Sequence, residues 1–118
     1  MCVTYVVRFQ VLPDKLERFM SLLDGVLDAM RGERDFREAV LHRDPDSPCR
    51  LMLYETWESP DNESEEQIHR PYRRGYHEAL AELLVRPREV TQWHTVRADR
   101  CAARLESRDA EELAEVRA

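Results

Sequence analysis

The chain is poor in the residues that mark cofactor, metal and nucleic-acid proteins. Only three of its 118 residues are cysteine and three are glycine. Cys2, Cys49 and Cys101 lie far apart with no Cys-x-x-Cys pair, which argues against a disulfide framework or a zinc knuckle. The scattered glycines form no phosphate-cradling loop. An excess of basic charge is also missing: 24 acidic residues face 18 basic ones, a formal net charge of −6, which is the wrong sign for a nucleic-acid footprint. No apolar run approaches bilayer length. The opening MCVTYVVRFQV alternates and lacks the basic start, apolar centre and cleavage site of a signal peptide. The expectation is a soluble, cytoplasmic protein with neither a membrane nor a nucleic acid as partner.

Metal ligands are sparse as well. Glu65 or Glu66 with His69 stand at helical spacing, but His42, His77 and His94 have no ligand spacing with that pair, and a mononuclear site needs three or more ligands. No metal site is expected. Cys49, in a turn-like stretch after Asp44-Pro45-Asp46-Ser47-Pro48, reads as an inert thiol.

What is present is periodicity. Val3, Tyr5, Val7, Phe9 and Val11 alternate with Thr4, Val6, Arg8 and Gln10, the period of a strand. After Leu12-Pro13-Asp14, apolar residues recur at Leu16, Phe19, Met20, Leu23, Val26, Leu27 and Met30, the stripe of an amphipathic helix. Two further alternating segments, roughly 36–43 and 50–57, flank an Asp/Pro-rich turn and predict an antiparallel hairpin. A polar stretch from Glu58 to Glu66 precedes a helical pattern that Pro71 splits and that runs to Leu84. Val90, Gln92, His94 and Val96 form a last strand. The order βαββαβ predicts an α+β, ferredoxin-like fold with an antiparallel sheet and both helices on one face, over residues 1–97. Residues 98–118 read as a charged helical tail, since 11 of the 22 residues from 97 onward are charged. With helices on one face only, Val6, Tyr54 or Trp93 would meet water on the other, so a homodimer packed sheet against sheet is expected.

One stretch carries candidate chemistry. In IHRPYRRGY, residues 68–76, His69, Tyr72 and Tyr76 fall at i, i+3 and i+7, and Leu80 and Leu83 continue the row. That face should be buried, which aims three proton-transferring side chains inward. Arg70, Arg73 and Arg74 read as outer-face residues balancing the acidic run.

The N-terminal strand with its Val-x-Pro-like turn before a Phe-containing helix, the strand LYETWES, the helical histidine of IHRPY, and RPREVTQW near the end together resemble the antibiotic biosynthesis monooxygenase superfamily over residues 3–96. The resemblance implies a dimeric α+β barrel. It further implies a small enzyme that oxygenates anthrone- or quinol-like polyphenols with O2 and no cofactor, although haem-degrading relatives and binding or stress proteins share the fold. Haem-degrading members use an Asn on the first strand and a Trp beside the haem-ligating His, whereas this first strand has no Asn and residue 69 is His.

Cofactor-free oxygenation has simple requirements. Triplet dioxygen reacts slowly with neutral closed-shell organics, but an ionised phenol or carbanion can pass it an electron, so substrate deprotonation controls the rate. A base of near-neutral pKa, phenol donors for the developing oxyanion and an apolar cavity are the useful parts. On this reading His69, Tyr72 and Tyr76 are the catalytic candidates. Trp57 and Trp93 would wall an aromatic ring, Arg88 would stabilise an enolate or peroxide, and Glu55, on the strand face of Trp57, is an alternative acid or base. Each also has a structural reading: a core histidine, core tyrosines, packing tryptophans, a surface arginine.

Overall fold

Alternating apolar residues draw Cys2–Gln10 into strand β1, which turns Val3, Tyr5, Val7 and Phe9 to one side, all buried. In the computed structural model, which describes residues 2–58 and 70–102, β1 leads through Leu12 into a helical segment. Leu12 is extended (φ −63°, ψ 131°), as a residue before proline prefers, and Pro13 opens a 3-10 turn, Pro13–Lys15, that continues as α1, Leu16–Met30. The α1 stripe Phe19, Leu23, Val26 and Met30 is buried against the sheet, with Phe19 meeting Phe9 edge-on at 4.9 Å.

Strands β2 (Phe36–Asp44) and β3 (Ser47–Glu58) form the expected hairpin, longer than the sequence pattern suggests. The turn is only Pro45 and Asp46, closed where the Asp46 N–H donates to Asp44 Oδ1 at 2.8 Å. Cys49 therefore lies in a strand, not a turn, and its side chain joins the core. A second 3-10 turn, Pro71–Arg73, feeds α2, Arg74–Leu83, and repeats the device at the start of α1: Arg70 is extended (φ −60°, ψ 134°) and Pro71 opens the turn. Pro71 thus starts this helix. Strand β4, Glu89–His94, ends before Val96, which is fully in solvent.

The sheet is antiparallel throughout, in the order β2-β3-β1-β4, which is the ferredoxin-like arrangement. Odd-numbered residues of β1 and β3 face the helices. Register sets Ala39, Glu55, Tyr5 and Gln92 in one row across this face, and Trp57, Val3 and His94 in the next. The opposite face is covered by neither α1 nor α2 and carries Val6, Met52, Tyr54, Thr91 and Trp93, with Tyr54 and Trp93 exposed. None of the described helices is long and apolar enough to cross a membrane. Of the tail expected over 98–118, residues 103–118 lie outside the described part.

Candidate active site

Glu55 and Trp57 are two residues apart on β3 and so share its helix-facing side. The Trp57 indole N–H donates to Glu55 Oε1 at 3.1 Å, and both side chains are buried. A carboxylate in this position needs a counter-charge. Arg73, the last residue of the 3-10 turn, supplies it: its Nη2 lies 3.5 Å from the same Glu55 oxygen, and the two side chains are only 6% and 10% exposed. The guanidinium carbon stands 5.9 Å from the Trp57 ring centroid and 5.7 Å from that of Tyr72, within cation–π range of both. Trp57, in turn, is fixed edge-on by Phe36 at 5.2 Å.

Tyr76 follows Arg73 by three residues and points the same way, 4% exposed. Burial pushes its phenol up to about 12, the Glu55 carboxylate adds to the rise, and the guanidinium groups of Arg88 and Arg73 oppose it. Arg88, half-buried just before β4, is the guanidinium that acts most strongly on the hydroxyl. The group therefore holds two guanidiniums, one carboxylate and a neutral phenol. Nε and Nη2 of Arg73 are buried with no hydrogen-bond partner among the described residues, so the Glu55 contact is an ion pair without a well-aimed N–H. Such an arrangement can receive developing negative charge without moving.

Glu55, Trp57, Tyr72, Tyr76 and Arg88 come together here, but not all in the expected positions. Trp57 is fully buried. Arg73 lies over its ring and Phe36 packs against it at a steep angle, so it braces the group instead of forming an open wall. Trp93 does not join the group. It pairs in register with Thr4, on the sheet face away from the helices, is 60% exposed, and donates its indole N–H to Thr91 Oγ1 at 2.9 Å. His69 lies outside the described residues.

Arg73 is the residue that sequence reasoning misplaced. Expected on the outer face, it is 5% exposed and central to the group, whereas Arg70 is half-buried and pairs with Glu33 at 3.4 Å. The available signal was spacing: Arg73, Tyr76, Ala79 and Leu83 make a helical row as regular as the one through Tyr72, and all four are buried. Its positive charge suggested solvent.

Comparison with known proteins places these elements in a family. The family described as antibiotic biosynthesis monooxygenase matches residues 2–79. A Pestalotiopsis microspora protein, GME11364, a monooxygenase by its name, is 31% identical over 85 residues, which are 71% of this chain and 71% of that one. The structure of Rv0793 from Mycobacterium tuberculosis superposes with a TM-score of 0.76 at 27% identity, covering 85% of this chain and all (100%) of that one. SnoaB from Streptomyces nogalater, a cofactor-independent oxygenase, shares the fold with a TM-score of 0.71 at 18% identity, over 82% of this chain and 95% of its own.

Proposed function

Since this chain belongs to the antibiotic biosynthesis monooxygenase family, we propose that it oxidises an electron-rich aromatic polyphenol, anthrone- or quinol-like, with O2 and without flavin, haem or metal. The observation that carries this reading is the Tyr76–Arg88 pair. A buried phenol with a guanidinium acting on its hydroxyl is a fixed hydrogen-bond donor for an oxyanion.

For an anthrone the steps balance as follows. A base removes a proton from the ring CH2, and the carbanion, conjugated to the carbonyl as a phenolate, passes one electron to O2. The resulting radical pair combines to a peroxide anion at that carbon, which is then protonated. Loss of water across the O–O bond, with the second hydrogen of the CH2, leaves the new carbonyl. One oxygen atom stays on the carbon and the other departs as water. Tyr76 and Arg88 support the phenolate and then the peroxide, and Tyr72 lies on the same side of the helix. His69 is the proposed base, on its spacing with Tyr72 and Tyr76 in the sequence. Glu55, engaged by Trp57 and Arg73, orients the arginine.

The sheet face that neither α1 nor α2 covers, with Val6, Tyr54 and Trp93, supports a homodimer packed through it. The reading is tested by oxygen uptake. After exhaustive dialysis against a chelator, the protein should consume one O2 per anthrone or hydroquinone oxidised. Saturable binding of these compounds with no oxygen uptake would favour a dimeric ligand-binding protein instead, and a haem-like Soret band titrating with added haem would favour a haem-binding relative.

A further inference from the structure

A cavity of about 490 Å³ opens where α2 gives way to β4, with Leu80, Leu84, Val85 and Pro87 as its apolar wall and Arg86 and Arg88 at its edge. Its volume is that of a pocket for a small organic ligand. The backbone around it is pinned. The Leu12 N–H donates to the Leu83 carbonyl at 2.9 Å, the Val85 N–H donates to the Gln10 carbonyl at 2.8 Å, and Val11 bridges Leu84. These bonds tie the cavity's floor to the end of β1, so the space is built into the fold.

The two arginines have different duties. Arg88 lines the cavity and its charge also acts on the Tyr76 hydroxyl, so the cavity and the proposed reaction site share this residue. Arg86 is exposed, and among the described residues no carboxylate lies within ion-pair distance of it. In a chain of net charge −6, an unpaired guanidinium beside an apolar cavity has complementarity to one kind of guest: an apolar body with an anionic end.

We propose that this cavity holds the non-reacting end of the substrate, that this end is an aromatic or alicyclic group bearing a carboxylate, and that Arg86 pairs with the carboxylate as the specificity-determining residue. The proposal rests on the polyphenol-oxygenase reading, because it describes the far end of the same substrate. Arg86 takes no part in proton or electron transfer. Its loss acts on KM for carboxylated substrates, and leaves kcat and the turnover of neutral substrates unchanged.

The test uses the full chain and a probe that cannot turn over, anthraquinone-2-carboxylate, with the neutral anthraquinone-2-carboxamide as control, by calorimetric titration. Wild type should bind the carboxylate roughly tenfold more tightly than the carboxamide, the order expected of one charge-assisted contact. Arg86→Gln should bring the two to equal affinity. Ala81→Trp, which enters the cavity from an exposed lining position, should weaken both. Equal affinities in wild type, no binding of either probe, a preference that survives Arg86→Gln, or unchanged binding by Ala81→Trp overturns the proposal. Because no turnover is involved, carboxylate preference without oxygen uptake sinks only the oxygenase reading, and oxygen uptake without carboxylate preference sinks only this inference.

Discussion

The Arg73 guanidinium and the Glu55 carboxylate form an ion pair 3.5 Å apart between the 3-10 turn that leads into α2 and strand β3, with side chains 6% and 10% exposed. Removing one partner of such a pair leaves the other charged, buried and unmatched. Arg73→Met should therefore cost roughly 3–5 kcal/mol of folding stability in urea titrations. The double variant Arg73→Met, Glu55→Gln, which removes both charges, should recover much of that loss. Additive losses in the double variant would mean that the two charges are not coupled.

Tyr76 predicts a specific alkaline weakness. Its folded-state phenol sits at about 12 against an ordinary value of 10.0. Between those values the unfolded chain gives up this proton while the folded chain keeps it, so the folded state binds more protons and stability falls as pH rises. The contribution is fully present below pH 10 and lost by about pH 12, a total of about 2–3 kcal/mol. Denaturant titrations from pH 9 to 12 should show the decline in wild type and a shallower one in Tyr76→Phe. Parallel curves would contradict the assignment.

The open sheet face predicts assembly. Val40, Tyr54, Val6 and Thr91 are neighbours in register across it. The wild-type chain should sediment at micromolar concentration with twice its chain mass. Tyr54→Glu, which plants a charge in the middle of the row, should sediment as a folded monomer. A monomeric wild type would remove the sheet-on-sheet dimer.

His69 predicts a kinetic loss without a structural one. If it removes the substrate proton, His69→Ala should lower anthrone turnover by roughly 10²–10⁴ while the circular dichroism spectrum is unchanged. A variant that unfolds would show that the imidazole serves packing.

Much of the fold was readable because period-two and period-3.6 patterns follow directly from which residues must be buried. Val3, Tyr5, Val7 and Phe9, and Phe19, Leu23, Val26 and Met30, are buried as their spacing requires. The proline starts of both helical segments were legible for the same local reason, the bias of the preceding residue toward extended backbone. The site was harder to read. Alternation gives each strand two faces but does not say which face of β4 continues which face of β3. That depends on register, and register sets Trp93 beside Thr4 while Trp57 lies beside Val3. Arg73 was hidden by its charge, because its burial depends on Glu55, which is 18 positions away in sequence and adjacent only after folding.

The central claim is that the Tyr76 hydroxyl, buried beside the guanidinium of Arg88, stabilises the substrate's anion. Tyr76→Phe keeps the ring and deletes that donor alone. The direct measurement is the oxygen-uptake kcat of wild type and Tyr76→Phe on the same anthrone at neutral pH. The account predicts a fall of roughly 10²–10³, the worth of one oxyanion donor, in a protein that remains folded. Equal rates in the two proteins would contradict it and leave Tyr76 a core residue.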